Sequence, residues 1–496
     1  MTHFEKVCSI ISFLRGFALT YKGKTYPFRQ ICIACMLPLV VAPTMAQSPI
    51  ALTIDTQSRV HDAVPVDFGG VSIFTGTQAL DHHGVPGNLF SATNTQLITL
   101  FKNSDIHHLR LGATESLGSN AANLDHADID ALFAFAKATD IRVIYSLHAR
   151  DSTATAKYVW DNYRSYLDYF AFDNEPDNLK LGGSGTAVGS YENYLANWKN
   201  FAKAVTGVAP GAKFAGPDAA GRTLAPRFAR DGKDSGLVAL ITQHFYVGGN
   251  SLKRGLSAQQ AIDEMLSEDW VTKKYPELYH KVLLPVMAEG FPYRLTESDD
   301  YVHGTENASN AFASALWALD YMHWWAEHKA SGVNFQNTEW LDTDTFYPDS
   351  SGNYQIYPKA YALKAFDLGS RGWIEPVSIN NANGLNMTAY AVGDATTLYV
   401  TIINKEHGAG ARDANVTILS KGLPPGQATA MFLTAPNGDV GARSGITLGD
   451  APITSNVPWK GHWKTLSPAN KNGYSVTVHA ASAAVVRISI QQKNHR

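Results

Sequence analysis

At 496 residues, 45% hydrophobic and 17% charged, the chain is too long for one ordinary core and has the composition of a soluble globular protein. Its net charge of −3 gives no basic excess, which argues against nucleic acid as a partner. All three cysteines, Cys8, Cys32 and Cys35, lie within residues 1–46, so a chain cut beyond them has no disulfide, thiolate nucleophile or cysteine metal site.

The first predicted element is a targeting segment. Lys22, Lys24 and Arg29 precede the apolar stretch 31–41, and Ala42-Pro43-Thr44-Met45-Ala46 follows with small residues at its third-last and last positions. Residues 1–46 therefore read as a signal peptide cleaved near Ala46, which predicts a secreted or periplasmic protein. The apolar stretch is too short to span a membrane. A lipid anchor at Cys35 is the lesser reading, because the apolar run continues past it. Cleavage would leave 36 basic against 43 acidic side chains, a net charge of −7.

Residues 47–63 contain an alternating run at 50–55, expected as a strand that joins a distant β-module. Between 64 and 365, eight short apolar runs alternate with amphipathic segments such as 129–138 and 191–205. The runs are 67–73, 108–111, 142–146, 167–172, 213–215, 239–244, 293–296 and 332–335. This alternation predicts an α/β fold, a (β/α)8 TIM barrel. Several runs end in polar residues (Arg110, His148, Glu175, Asp218, His244, Glu297 and Gln336), as expected where strand C-termini form a catalytic face. From 366 to 496 the pattern changes to period-two alternation, at 385–392, 397–403, 428–433 and 474–490, which predicts a C-terminal all-β sandwich domain.

Chemistry concentrates in Asn174-Glu175-Pro176, at the end of the apolar run Tyr169, Phe170, Ala171 and Phe172. Proline, with no N–H for the ladder, turns the chain out of the strand there. A carboxyl held there can serve as a general acid if its pKa is raised, and the neighbouring amide can bind a hydroxylated substrate. A second carboxylate is expected at Glu297, which closes the run Tyr293-Arg294-Leu295-Thr296. The 122 residues between the two glutamates match three further strand–helix units, so both would face the barrel mouth. Glu289 is the rival, but no comparable loop and helix follow it. Two carboxylates about 5–5.5 Å apart would make a retaining glycosidase.

Asp173-Asn174-Glu175-Pro176-Asp177 resembles the acid/base strand of the large barrel clan of retaining glycosidases. Arg294-Leu295-Thr296-Glu297, then 312–320, Gly332-Val333-Asn334-Phe335 and the β-module run Ile402-Ile403-Asn404-Lys405 are similar to glycoside hydrolase family 79, which contains β-glucuronidases and heparanases. The resemblance covers the chain from about Leu52 onward. It implies that Glu175 is the acid/base and Glu297 the nucleophile, with no cofactor. It further implies that Asn174, Thr114 and Tyr246 contact the sugar or the nucleophile, and that Gly304 and Tyr347 hold a uronic carboxylate. The implied substrate is a glycoside, oligosaccharide or polysaccharide containing glucuronic acid.

Departures from the family pattern bear on the substrate. Val302 stands where a tyrosine is usual, Thr305 follows Gly304 in place of a second glycine, and Ser72-Ile73-Phe74 lacks an acidic residue. Endo and exo action both stay open, with Arg222 and Arg227 offering a local basic groove for an acidic polymer. Two alternatives remain: a barrel glycosidase for a neutral β-linked sugar, and a carbohydrate-binding protein without hydrolytic activity. Neither His82-His83, His107-His108 nor the pair His323 and His328 has metal-ligand spacing, so no metal is expected. Gly182-Gly183-Ser184-Gly185 lacks the strand that a dinucleotide loop needs. Asp299-Asp300 reads as a solvated loop face.

Overall fold

The computed structural model describes residues 19–21, 24–26, 50–58, 63–75, 87–112, 124–147, 153–172, 174–178, 189–337, 342–349, 351, 353–421, 425–470 and 473–490. Residues 1–47 and 48–496 form two separate units. Most of the expected signal peptide, including its cleavage region, lies outside the described residues. What is described of the first unit is one antiparallel pair, β1 (Leu19–Tyr21) with β2 (Lys24–Tyr26). No helix among the described residues is long and apolar enough to cross a membrane.

In the second unit, β3 (Ile50–Asp55) precedes a closed parallel barrel of eight strands. These are β4 (Gly69–Phe74), β5 (His108–Gly112), β6 (Arg142–Leu147), β7 (Leu167–Phe172), β8 (Phe214–Ala219), β9 (Val238–Tyr246), β10 (Tyr293–Asp299) and β11 (Val333–Gln336). They pair in chain order, with β11 closing onto β4. All eight expected runs became these strands, with β8, β9 and β10 extended by four, two and three residues toward the C-terminal end, where the polar side chains sit. The crossovers are α1 (Thr95–Ser104), α2 (His126–Thr139), α3 (Thr153–Tyr163), α4 (Tyr191–Val208), α5 (Leu224–Gly232), a broken helical run between 258 and 288, and α6 (Phe312–Glu327).

Local chemistry sets these boundaries. At the start of α2, Asp125 accepts from the Asp128 backbone N–H while the Asp128 side chain accepts from that of Asp125; such a cap contributes about 1 kcal/mol. Asp140, in the left-handed conformation, ends the helix with its N–H on the Ala136 carbonyl. Helix α6 is buried from Phe312 to Ala326, as expected of a helix that is apolar nearly all round.

The barrel ends in α7 (Pro358–Gly369), preceded by the small hairpin β12 (Phe346–Pro348) and β13 (Tyr354–Ile356). The expected boundary at 365/366 thus falls inside α7, and the sandwich begins after Gly369. One sheet runs β14 (Trp373–Glu375), β16 (Met387–Gly393), β17 (Thr397–Asn404), β24 (Ser482–Ile490), β19 (Pro425–Thr434) and β20 (Thr447–Leu448), with β21 (Lys464–Thr465) also on β19. The other runs β15 (Val377–Asn380), β3, β18 (Ala414–Lys421), β23 (Gly473–Val478) and β22 (Pro468–Asn470). The early run at 50–55 lies in this second sheet, between β15 and β18. The run 474–490 is instead two strands, broken where Ala481 takes φ +48°.

Between the sheets lie Leu52, Ile54, Val400, Ile402, Val416, Ile418, Val476 and Val486. Each contributes roughly 1.5–3 kcal/mol, and Leu52→Ala would cost about 2–5 kcal/mol. Asp320 of α6 locks barrel to sandwich: it accepts Thr388 Oγ1 at 2.7 Å, Tyr390 Oη at 2.6 Å and Lys405 Nζ at 2.8 Å.

Candidate active site

The C-terminal ends of β4, β5 and β7 to β10 bring one set of polar side chains to the same end of the barrel. Ser72 comes from β4, Arg110 from β5, Asn174 and Glu175 from just past β7, Asp218 from β8, His244 and Tyr246 from β9, and Glu297 from β10. Asn174, Glu175, His244, Tyr246 and Glu297 line a cavity of about 880 Å³.

Glu175 takes φ +48°, a left-handed conformation uncommon for its residue type. Its backbone N–H is held by the Asp218 carbonyl at 3.0 Å. Its Oε1 lies 2.9 Å from His244 Nδ1, and its Oε2 accepts Asn178 Nδ2 at 2.6 Å. Asp177 then latches this turn to the loop after β8, accepting the N–H groups of Ala220 at 3.1 Å and Gly221 at 2.7 Å. A Cβ on residue 221 would stand 2.8 Å from Asp177 Oδ2, so a larger residue there would make the Asp177 carboxylate shift.

Glu297, 4% exposed, accepts Tyr246 Oη at 2.7 Å on Oε1 and Arg110 Nη1 at 2.9 Å on Oε2. Arg110 is fully buried and spreads its guanidinium over four partners. Nη1 also reaches Ser72 Oγ at 3.0 Å, while Nη2 reaches Asn174 Oδ1 at 2.7 Å and Asp218 Oδ2 at 2.8 Å. One carboxylate oxygen from each of Glu175 and Glu297 and a ring nitrogen of His244 all lie within 4.8 Å of one another.

Electrostatics assigns the protons. Burial opposes a charge on His244, but Glu297, Asp218 and Glu175 outweigh it and push the imidazole up to about 10. Burial likewise raises Glu175, yet the hydrogen bond and charge of His244, helped by Asn178 and Arg110, bring it below the usual carboxylate range. Burial and the adjacent Glu297 charge raise Tyr246 well above 10, keeping it a neutral donor. With His244 a cation and Arg110 beside it, the cluster Glu175–His244–Glu297 is unsuited to hold a metal ion.

Of the expected site residues, Glu175, Glu297, Asn174 and Tyr246 come together. Gly304 and Tyr347 do not line this cavity. Gly304 is buried against Asp342 and Thr343, and Tyr347 is half-buried in the β12–β13 hairpin. Thr114 lies outside the described residues. Glu289 ends a helix and pairs with Lys233 Nζ at 3.4 Å, away from the cavity.

The loop after Glu297 departs from expectation. Asp299 and Asp300 are fully buried rather than solvated. Lys359 Nζ holds both oxygens of Asp299, while Ser309 Oγ at 2.5 Å and Ser314 Oγ at 2.8 Å hold Asp300. Tyr301 turns away from the cavity, its ring under Gly248 and its hydroxyl on the Ala261 carbonyl at 2.9 Å. A Cβ at residue 248 would lie 2.1 Å from that ring. Val302 and His303 face the cavity instead, joined on its wall by Arg222, Arg254 and Lys274. Arg227 points elsewhere, stacked on Tyr191 and bonded to Glu192 Oε1 at 2.6 Å. Arg110, Asp218 and His244 were visible in the sequence only as polar strand ends; their mutual contacts depend on closure of the barrel.

No protein-family model matches the chain. Over 200 residues it is 26% identical to a β-glucuronidase of Aspergillus niger, a stretch that is 36% of this chain and 37% of that protein. The chain therefore aligns with little more than a third of that relative. Among solved structures it resembles a 4-O-α-L-rhamnosyl-β-D-glucuronidase from Fusarium oxysporum (TM-score 0.65, 14% identity, 88% of this chain and 99% of that one). It also resembles an α-L-arabinofuranosidase from Thermotoga maritima (TM-score 0.63, 14% identity, 89% and 100% covered). A monomeric β-xylosidase from Caulobacter crescentus is similar as well (TM-score 0.56, 14% identity, 88% and 99% covered). The chain is thus glucuronidase-like in part of its sequence and has the TIM-barrel fold of glycosidases.

Proposed function

We propose that the chain is a retaining glycoside hydrolase that cleaves β-linked glucuronides in oligo- or polysaccharides or smaller glycosides. The observation that carries the proposal is the facing of Glu175 and Glu297 across one cavity, with oxygens within 4.8 Å, close to the spacing of retaining carboxylate pairs. Glu297, aimed by Tyr246 and Arg110, attacks the anomeric carbon. Glu175, ionised at rest, relays a proton from the His244 imidazolium 2.9 Å away to the departing glycosidic oxygen. Glu175 then takes a proton from water and returns it to His244, and attack by that water's oxygen releases the sugar from Glu297.

Two observations support a uronide. The local sequence likeness is to a β-glucuronidase. Among the described residues of the cavity wall, Arg222, Arg254 and Lys274 accompany the acids Glu175 and Glu297, with Arg254 also paired to Glu264 at 2.7 Å and Arg222 to Glu277 at 3.7 Å. The signal-like residues 1–46 support action outside the cytoplasm. The positions of Gly304 and Tyr347 off the cavity wall favour a second reading, a glycosidase for a neutral β-linked sugar.

Side-by-side turnover of aryl β-glucuronide, aryl β-glucoside and heparan oligosaccharides separates these readings, with glucuronide cleavage expected. Glu297→Ala should abolish turnover, and full activity in that variant would sink the assignment. Sugar binding by the unaltered chain without product from any substrate would point to a binding protein.

A further inference from the structure

Asp218 is a third carboxylate at this site, and the two-glutamate scheme does not use it. It is 1% exposed and does not line the cavity. Its partners come from four other parts of the barrel. Oδ2 accepts Arg110 Nη2 from β5 at 2.8 Å, and Oδ1 accepts Thr296 Oγ1 from β10 at 2.6 Å. The same Oδ1 lies 3.6 Å from His244 Nε2 on β9, and the backbone carbonyl accepts the N–H of Glu175 at 3.0 Å. Among the described residues, Arg110 and His244, which touch the glutamates from behind, are both tied to Asp218 directly, whereas Tyr246 and Asn178 are not.

The charge pattern shows what this carboxylate does. His244 faces Glu175 Oε1 at 2.9 Å, Glu297 Oε2 at 3.6 Å and Asp218 Oδ1 at 3.6 Å, with Arg110 as the nearby cation. In the proposed reaction Glu297 loses its charge by bonding carbon, and Glu175 relays a proton between His244 and the glycosidic oxygen. Asp218 does neither and remains a fixed negative charge behind both cations. We infer that Asp218 is a positioning residue that holds His244 as a cation between the two glutamates and aims Arg110 at Glu297, an inference that rests on the reaction proposed above. The strong downward pull of Arg110 and His244 on the Asp218 carboxyl, which overcomes burial, agrees with a permanently charged group.

Asp218→Asn tests this cleanly. Residue 218 has φ +51°, a conformation that asparagine tolerates as well as aspartate, so the change removes charge with little backbone strain. Histidine side-chain NMR, with the His244 signal assigned by its loss in His244→Gln, should find the imidazole pKa lowered by about 1–3 units in Asp218→Asn. On whichever aryl glycoside the native chain cleaves, kcat should fall about tenfold to a hundredfold with KM little changed. The alkaline limb of the pH profile should move to lower pH. An unchanged His244 titration, or an unchanged kcat in a variant with the native melting temperature, would overturn the inference. If the glutamate scheme itself is wrong, Glu297→Ala will stay active while the NMR shift persists, so the two failures are distinguishable.

Discussion

Lys359 Nζ reaches both carboxylate oxygens of Asp299 at 2.7 Å each, and neither side chain is exposed. Asp299 lies two residues beyond Glu297 on β10, and Lys359 lies in the first turn of α7. The pair therefore fastens the end of the strand that carries the proposed nucleophile. Removing one member of such a buried pair leaves an uncompensated charge, which costs roughly 3–5 kcal/mol, whereas replacing both with apolar residues costs less. Lys359→Met should lower the unfolding free energy from denaturant titration by that much, with a lower midpoint, and adding Asp299→Leu should recover part of the loss. Equal midpoints for Lys359→Met and the native chain would show that the pair does not matter for stability.

Tyr246 presents the second grip on Glu297, a phenol kept neutral by burial. Tyr246→Phe deletes only the oxygen and the 2.7 Å hydrogen bond. A hydrogen bond to a charged group contributes about 1.5–3 kcal/mol, so kcat/KM should fall roughly tenfold to a hundredfold. Steady-state kinetics on an aryl glycoside will register the loss, while the melting temperature should change little.

The charge on His244 predicts a pH dependence of stability. Its pKa rises from 6.5 to about 10 on folding, so its contribution is fully present below pH 6.5 and is lost as the pH climbs through about 10. The native chain should lose more melting temperature between pH 7 and 10 than His244→Gln does. Parallel melting curves for the two chains across that window would contradict the assigned charge.

On the proposed glucuronide reading, His303, which lines the cavity beside Val302 while Gly304 and Tyr347 do not, would meet the uronic carboxylate. His303→Ala should raise KM for an aryl β-glucuronide about tenfold, as loss of one charge-assisted contact does, and leave any activity on an aryl β-glucoside unaltered. An equal effect on both substrates would remove His303 from sugar recognition.

The barrel was legible because each strand is a short apolar run that ends in a polar side chain, and the runs alternate with helical periodicity. Glu175 and Glu297 were legible for the same reason, as carboxylates on the last turn of such runs. What surrounds them was not. Asp299 and Asp300 read as solvated because the lysine and serines that satisfy them lie up to sixty residues away. Tyr301 misses the cavity because Gly248, on a different strand's loop, leaves room for its ring. Short strands such as β14, β20 and β21 carry two or three residues of ordinary composition and exist only through their neighbours.

The position of β3 bears on how the chain is made. Ile50–Asp55 emerges before any barrel strand, yet it lies between β15 and β18, with Ile50 registered to Val416. During synthesis this apolar ribbon must wait for more than three hundred further residues before either edge is paired. The whole barrel forms in that interval while an unpaired edge, the usual seed of misassembly, stays open. A released chain ending after Gly369 would hold every barrel strand and an orphan β3. Chaperone demand should accordingly peak late in translation, just before the last sheet closes.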